Sequence, residues 1–260
     1  MITPVALSIA GSDPSGGAGI QADLKTFHSL GVYGEAVITL ITVQNTRGVH
    51  RVDVLAPELV AEQIHAVISD IPPKAAKTGA LGNLAVVKAV AAAAETFSFP
   101  LVVDPVMISK NGAWLMDAEA RRTFTEELLP RAFLLTPNLP EAAALSGIPV
   151  HDADSMARAA AKLLEMGAAN VLVKGGHLEG EALDLLASPH VKLRLFRAPR
   201  VDTPHTHGTG CTFSAAITAE LAKGASLEDA IHRAKRFITE AIRTNPGLGS
   251  GSGPVNHFSS

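Results

Sequence analysis

Residues 5–30 read VALSIAGSDPSGGAGIQADLKTFHSL, and this stretch sets a pattern that the rest of the chain repeats. Val5 to Ala10 form a short apolar run typical of a buried strand, and the run stops at a glycine-rich loop. Ile20 to Leu30 then carry apolar side chains at helical spacing until Gly31 ends them. The stretch therefore predicts a strand, a loop and a helix.

The same alternation continues along the chain. The sequence predicts further strands at Tyr33 to Val43, Arg51 to Leu55 and Ala75 to Thr78, and helices at Pro57 to Asp70 and from Asn83 onward. Three later apolar runs end in a polar residue, LVVD (101–104), FLLT (133–136) and NVLVK (170–174). Such runs are typical of parallel strands buried on both faces, whose carboxyl ends meet at one ligand-binding edge. We therefore predict an α/β fold with a mostly parallel sheet, and a single domain over residues 1–260, because no linker rich in Ser, Pro or Gly divides the chain.

Composition narrows the class of ligand. The chain has 260 residues, of which 47% are hydrophobic, enough to bury a sizeable core. Its formal net charge of -3 and the lack of a dense Lys/Arg run argue against nucleic acid or an anionic membrane as partner. The longest apolar-rich stretch, Leu84 to Ala94, is shorter than the roughly 20 residues of a membrane span. One cysteine excludes an intrachain disulfide, and no signal-peptide pattern opens the sequence, so we expect a cytoplasmic protein with a small-molecule ligand.

The segment HTHGTGCTFSAAI, residues 205–217, is the strongest candidate site. A glycine turn at Gly208 to Gly210 opens into an apolar helix, whose first amides have no acceptor within the helix and favour an anion. Cys211 lies at the positive end of the helix dipole, which favours a thiolate able to act as base or nucleophile. The alternative is a tight corner with Cys211 packed as a small apolar side chain.

Three charged residues follow the ends of predicted strands. Asp104 comes before a proline turn and Glu141 lies near the start of a helix, positions that suit two carboxylates binding magnesium beside substrate phosphates. Lys174 precedes Gly175 and Gly176 and would place a cation near a nucleotide phosphate. Each acid is also a candidate for helix capping or loop stabilisation, and Lys174 for a solvated strand end.

Other motifs are absent or weak. The loop from Gly11 to Gly19 does not match GxxxxGK[ST], which disfavours a P-loop NTPase. His205 and His207 lie two apart without a further cluster at zinc spacing, and no GxSxG supports a serine hydrolase. Asp23 and Gln44 are polar residues among apolar neighbours, and an amide such as Gln44 can both donate to and accept from a heterocycle.

Taken together, the segments closely resemble the bacterial hydroxymethylpyrimidine/phosphomethylpyrimidine kinases of the ribokinase-like superfamily. The resemblance spans essentially the whole chain and rests on AGSDPSGGAGIQADLKT (10–26), TVQNT (42–46), KTGALG (77–82), DPVM (104–107), TPNLPEA (136–142), VLVKGGH (171–177), HGTGCTFSAAI (207–217) and GPVNH (253–257). It implies a three-layer α/β/α fold. It also implies ATP-dependent phosphorylation of 4-amino-5-hydroxymethyl-2-methylpyrimidine and then of its monophosphate, in thiamine biosynthesis, by a homodimer that uses Mg²⁺.

The same resemblance assigns roles to residues. The residues implied to line the pyrimidine pocket are Gly11, Asp23, Gln44 and Val106 or Met107. Thr209 and Gly210, with Gly208 before them, would form the anion hole, and Cys211 would occupy the place of the catalytic Asp of most of the superfamily. Independently of the resemblance, the needs of phosphoryl transfer lead us to expect that Lys174 and Thr209 contact ATP and that Asp104 and Glu141 hold Mg²⁺.

The chain departs from the family pattern at one position. Ala80 follows KTG where the family usually has Met, so a smaller side chain lines the predicted pyrimidine pocket. Pyridoxal kinase activity is the nearest alternative, because pyridoxal also carries a hydroxymethyl group on a six-membered nitrogen ring. A non-catalytic pyrimidine or nucleotide binding protein and a hydrolase that uses Cys211 are the more distant alternatives.

Overall fold

The sheet has the predicted architecture. A computed structural model describes residues 3–107, 116–176, 180–189 and 191–259, and His177 of the VLVKGGH motif lies outside them. The described residues form one sheet of β1 (Val5–Ser12), β2 (Tyr33–Asn45), β3 (Gly48–Val54), β4 (Ala75–Thr78), β5 (Leu101–Val103), β6 (Leu134–Leu135), β7 (Val171–Gly175), β8 (Ala182–Ser188) and β9 (Val191–Ala198). The order is β3-β2-β1-β4-β5-β6-β7-β8-β9. Strands β2 through β7 in this order pair in parallel, whereas β3, β8 and β9 pair antiparallel with their neighbours.

Helices cover both faces of the sheet. They are α1 (Gly19–Ser29), α2 (Pro57–Asp70), α3 (Leu84–Ala94), α4 (Ala118–Thr123), α5 (Leu139–Ser146), α6 (Ala153–Glu165), α7 (Thr209–Ala222) and α8 (Leu227–Arg243). Helices α1, α7 and α8 pack on one face around Phe27 and Phe213, and α2 to α6 enclose a second core on the other. The predicted three-layer α/β/α fold is confirmed. No helix in the described ranges is long and apolar enough to span a membrane.

Parallel strands bring their carboxyl ends to one edge of the sheet. Asp104 follows β5, Thr136 follows β6, and Lys174 is the next-to-last residue of β7. The three strands are neighbours, so these polar residues from distant parts of the sequence lie side by side. The N-termini of α1 and α7 come to the same edge and complete the site.

Two elements differ from the sequence expectation. After Lys174, β8 and β9 extend the sheet as antiparallel strands that are not predicted from the sequence. The C-terminal segment has the composition of a disordered end, but Ser252 N–H donates to Thr46 O at 2.9 Å and Gly253 N–H donates to His205 Nδ1 at 3.1 Å. These bonds fix the segment against the turn of the β2–β3 hairpin and the loop before α7.

Candidate active site

Gly208 is the residue just before α7, and the structure explains why this position is a glycine. Its φ is +78°, and a Cβ built there would lie 1.7 Å from the carbonyl oxygen of Gly17. A larger residue would therefore meet both backbone strain and the neighbouring glycine loop. The first amides of α7, from Thr209 to Cys211, have no acceptor one turn earlier within the helix, which is the arrangement predicted for an anion hole.

The start of α7 faces a buried ion pair. A Cβ built on Gly210 would lie 3.4 Å from Lys174 Nζ and 3.9 Å from Asp104 Oδ2, so the helix terminus and this pair border the same space. The Thr209 hydroxyl donates to Thr206 O at 2.8 Å, so its side chain stabilises the turn. The predicted cluster of Lys174, Asp104 and the glycine turn is thus assembled by the fold.

Asp104 is the most heavily hydrogen-bonded acid of this cluster. Its Oδ1 accepts from Lys174 Nζ at 2.8 Å and Thr136 Oγ1 at 3.3 Å, and its Oδ2 accepts from Ser214 Oγ at 3.2 Å. Burial alone would raise the pKa of Asp104, but the charges of Lys174 and Lys77 and these hydrogen bonds hold it below the ordinary value. Asp104 is therefore a carboxylate. Ser214, on the second turn of α7, was not identified from the sequence.

Glu141 combines capping with a place in the cluster. Its Oε2 accepts from Asn138 N–H at 2.9 Å, and Asn138 Oδ1 accepts from Glu141 N–H, so the capping alternative left open by the sequence is correct. Burial raises the pKa of Glu141 to about 7, with a further increase from Asp104, while the charge of Lys174 opposes them. The charge of Lys174 thus acts on both Asp104 and Glu141.

The acids fit a magnesium ion. No group of three or more His, Cys, Asp or Glu residues with metal-ligand geometry occurs in the described part of the chain. Mg²⁺ is commonly held through one or two carboxylates, with water and substrate phosphates completing its six oxygen ligands. Asp104 and Glu141 supply oxygen donors of that kind, and a cation would offset the burial and the smaller repulsion by Asp104 that together raise the pKa of Glu141.

Cys211 contradicts one expectation. Its Sγ accepts a hydrogen bond from the backbone N–H of Gly19 at the start of α1, so two helix termini converge on the sulfur. Burial nevertheless raises the pKa of the Cys211 thiol to about 11, and Asp23 and Asp104 raise it further against the opposing charge of Lys77. The predicted low pKa is wrong, because the cost of burying a thiolate exceeds what helix termini and Lys77 provide. The resting group is a thiol.

Asp23 forms a second buried ion pair next to the cluster. Its side chain is fully buried, with Oδ1 bonded to Lys77 Nζ at 2.8 Å and Oδ2 accepting from Ser8 Oγ at 2.6 Å. Both oxygens are thus engaged inside the protein, and the place of Asp23 beside the pyrimidine stays a prediction. Burial lowers the pKa of Lys77, but the charges of Asp23 and Asp104 and the hydrogen bond to Asp23 outweigh it and keep the lysine protonated.

Sequence reasoning missed Lys77 as a functional candidate. The signal was available, because a lysine within a strand of otherwise small and apolar residues needs a buried partner. The identity of that partner depends on the packing of α1 against the sheet, which the sequence pattern does not give.

The predicted pocket residues Gly11, Val106 and Met107 occupy three kinds of environment. Gly11 is buried, and a Cβ there would lie 2.5 Å from Leu40 Cδ1. Val106 is half-buried and its N–H donates to Asp104 O at 2.9 Å. The side chain of Met107 is completely buried in the core beneath α2 to α6, and the placement of Val106 or Met107 near the ring stays a prediction.

Gln44 lies near the end of β2, half-buried and next to His207. Its side-chain nitrogen is 3.3 Å from His207 Nε2, and that same ring nitrogen is 2.8 Å from Asp13 Oδ2. His207 therefore connects the hairpin, the glycine loop and the loop before α7. Neither Asp13 nor His207 was assigned a role from the sequence, because their contact joins positions 194 residues apart.

Comparisons with known proteins find relatives along nearly the whole chain. The family model described as phosphomethylpyrimidine kinase matches residues 13–256. The chain is 47% identical to the hydroxymethylpyrimidine/phosphomethylpyrimidine kinase of Bacillus subtilis over 97% of this chain and 94% of that protein. It is 50% identical to a thiamine biosynthesis bifunctional protein of Geobacter sulfurreducens, over 97% of this chain and 52% of that protein.

A solved structure is similar along the whole fold. The ADP complex of Bacillus subtilis pyridoxal kinase superposes with a TM-score of 0.91 at 39% identity, over 99% of this chain and 98% of that one. The similarity therefore extends to proteins whose names give two different acceptor substrates.

Proposed function

Because the chain belongs to the phosphomethylpyrimidine kinase family, we propose that the cluster around Asp104, Lys174 and the start of α7 is the site where it phosphorylates its substrates. The chain is a kinase of thiamine biosynthesis that phosphorylates hydroxymethylpyrimidine and then its monophosphate. ATP is the phosphoryl donor, as the ADP complex of the related pyridoxal kinase indicates. The observation that carries the location is the Lys174–Asp104 pair bordering the start of α7.

Charge stabilisation is the main task of this site. The transferred phosphoryl group spreads negative charge over its equatorial oxygens, and the protein contributes mostly positioning and electrostatic stabilisation. The amides from Gly208 to Cys211 would donate to those oxygens, and Lys174 would supply a fixed positive charge held in place by Asp104. Burial of this pair makes each charge more effective than it would be in water.

Asp104 and Glu141 would hold Mg²⁺ through their carboxylate oxygens. The bound ion would neutralise the charge of the ATP phosphates and align them. Ser214 and Thr136 fix the orientation of Asp104, and the capping box fixes Glu141, so both acids would meet an ion without large side-chain movement.

Cys211 would receive the proton of the substrate hydroxymethyl group. Because the transition state of phosphoryl transfer is loose, the attacking oxygen loses its proton late, when bond formation has made it more acidic. The thiolate is the form that accepts the proton, and Lys77 and the N–H of Gly19 favour that form. In the second transfer the acceptor is a phosphate oxygen that is already ionised, so no base is required there.

Gln44, Gly11 and Val106 would form the side of the pocket that contacts the pyrimidine ring. Gly11, whose missing Cβ makes room for Leu40, would border the ring with its backbone, and Gln44 offers a side-chain amide to the edge of the heterocycle. Thr209 would contact ATP through its backbone, since its hydroxyl is bonded to Thr206.

Pyridoxal is the second candidate substrate. The similarity to a solved pyridoxal kinase at a TM-score of 0.91 favours it, and Ala80 offers a smaller side chain than the methionine expected there. The higher identity to the pyrimidine kinase of the same species, 47% against 39%, makes hydroxymethylpyrimidine our first choice.

Three further properties belong to this proposal. Ile41 and Val43 expose apolar side chains on one face of the β2–β3 hairpin, which supports a homodimer formed through this face. The single sheet through all the described strands supports one kinase domain over residues 1–260. We place the enzyme in the cytoplasm, where ATP is supplied.

Substrate competition tests the proposal. The purified protein with ATP and Mg²⁺ is given equal concentrations of hydroxymethylpyrimidine and pyridoxal, and both phosphorylated products are quantified by mass spectrometry. We expect a higher kcat/KM for the pyrimidine. A higher kcat/KM for pyridoxal would assign the protein to the second candidate.

A further inference from the structure

His207 joins three segments of the chain beside the predicted pyrimidine pocket. Its Nε2 lies 2.8 Å from Asp13 Oδ2 in the glycine loop and 3.3 Å from the side-chain amide of Gln44 on β2. The imidazole is largely buried, with a side-chain exposure of 14%, so it has little access to water as an alternative partner. Each contact between these three side chains therefore needs one hydrogen-bond donor and one acceptor.

Asp13 determines whether His207 Nε2 carries a hydrogen. Its Oδ1 accepts from Ser15 N–H at 2.9 Å and Ser15 Oγ at 2.7 Å, and its Oδ2 accepts from Ala18 N–H at 2.9 Å. Burial would raise the pKa of Asp13, but the hydrogen bonds from His207 and Ser15 hold it below the ordinary value. Asp13 is thus a carboxylate that only accepts, and the contact at 2.8 Å requires a hydrogen on His207 Nε2.

That hydrogen decides the orientation of the Gln44 amide. An Nε2–H group cannot accept from an amide NH₂, so the atom of Gln44 that faces it has to be the oxygen. The two ends of a terminal amide have the same shape and exchange by a half-turn about the last side-chain bond. The Nε2–H group of His207 then donates to both Asp13 and Gln44, and the contact of 3.3 Å with Gln44 is the weaker of the two.

We infer that His207, held by Asp13, is a positioning residue that turns the oxygen of Gln44 toward itself and leaves both amide hydrogens for the substrate. The pocket then takes a heterocycle that presents an acceptor, such as a ring nitrogen, to Gln44. This inference rests on the proposed function, because it concerns how a pyrimidine is recognised at the proposed site. It adds Asp13 and His207 to the residues that determine specificity.

The first test measures the hydrogen itself and needs no substrate. In ¹⁵N-labelled protein at neutral pH, the Nε2 signal of His207 is assigned by its loss in His207→Phe. We expect the chemical shift and the attached proton of a protonated Nε2. A bare Nε2 would overturn the inference, whether or not the protein phosphorylates pyrimidines.

The second test asks whether His207 acts through Gln44. Loss of one orienting hydrogen bond in His207→Phe should raise KM for hydroxymethylpyrimidine about tenfold, with kcat and KM for ATP changing far less. The effect should disappear in a Gln44→Ala background, because no amide remains to be oriented. His205→Phe is the matched control, since His205 lies in the same loop and bonds to Gly253 rather than to Gln44, and we expect its KM to stay within about twofold of wild type.

The outcomes distinguish failure of the inference about His207 from failure of the proposed function. An equal rise of KM in the wild-type and Gln44→Ala backgrounds would show that His207 acts independently and would overturn the inference. A fall of kcat with unchanged KM would do the same. Failure of the wild-type protein to phosphorylate the pyrimidine would instead refute the proposed function, and the NMR measurement would still decide the hydrogen on His207.

Discussion

Replacement of Cys211 by alanine tests how the first phosphoryl transfer loses its proton. With a pKa of about 11, about one Cys211 thiol in a thousand is ionised at pH 8. The ionised fraction rises about tenfold for each pH unit up to that pKa. If the thiolate accepts the hydroxymethyl proton, log kcat of the first transfer rises with a slope near one between pH 8 and pH 10.

The substitution should affect the two transfers differently. A positioned general base contributes about 100-fold to 10,000-fold, so Cys211→Ala should lower kcat of the first transfer by at least about 100-fold at pH 9 and abolish the pH slope. The second transfer should fall by less than about tenfold, because its acceptor oxygen is already ionised. Cys211→Ser keeps a hydrogen-bonding group that does not ionise in this range, so it should also give a flat profile.

The assay supplies each acceptor separately, hydroxymethylpyrimidine for the first transfer and its monophosphate for the second, with saturating ATP and Mg²⁺. Initial rates are measured by mass spectrometry from pH 7 to pH 10, and thermal unfolding confirms that each variant is folded. The same pH slope in Cys211→Ala as in wild type would refute the role of the thiolate. Equal losses in both transfers would refute the division of roles between them.

Three other changes test the account. Lys174→Met should lower kcat about 100-fold in steady-state assays, because it removes the cation beside Asp104, whereas the exposed Lys162→Met should leave kcat unchanged. Gly208→Ala should reduce kcat and lower the Tm more than Gly224→Ala; both have positive φ, but only the first meets a neighbouring carbonyl, and equal effects would contradict this reasoning. Burial and a nearby carboxylate raise the pKa of Glu35 to about 7, so the folded protein should lose up to roughly 3 kcal/mol of stability as pH rises from about 4.5 to 7. Urea titrations of Glu35→Gln should lack that loss, and an unchanged pH dependence would argue against it.

The sequence predicts the arrangement of strand ends well, for a physical reason. Continuous apolar runs such as Leu101–Val103 are buried on both faces, so their pattern is strong and their polar ends mark one edge of the sheet. That is sufficient to place Asp104, Lys174 and the start of α7 together. The glycine turn at Gly208 is equally predictable from the sequence, because a helix that begins at a glycine turn is a local feature.

The parts that sequence reasoning missed depend on contacts between distant residues. The buried pair of Lys77 and Asp23 and the contact of His207 with Asp13 each join separate elements, and no local pattern specifies the partner. The pKa of Cys211 has the opposite direction to that expected from its helix position, because burial outweighs the helix terminus.

The central claim is that one site carries out two successive phosphorylations of the pyrimidine. In the most direct measurement, the purified enzyme is incubated with hydroxymethylpyrimidine, ATP and Mg²⁺, and the monophosphate and diphosphate are quantified over time by mass spectrometry. The Lys174→Met variant is measured in parallel. The account predicts that the monophosphate rises first and falls as the diphosphate forms, and that Lys174→Met slows both steps. Product that stops at the monophosphate, or a diphosphate step that Lys174→Met leaves unchanged, would contradict it.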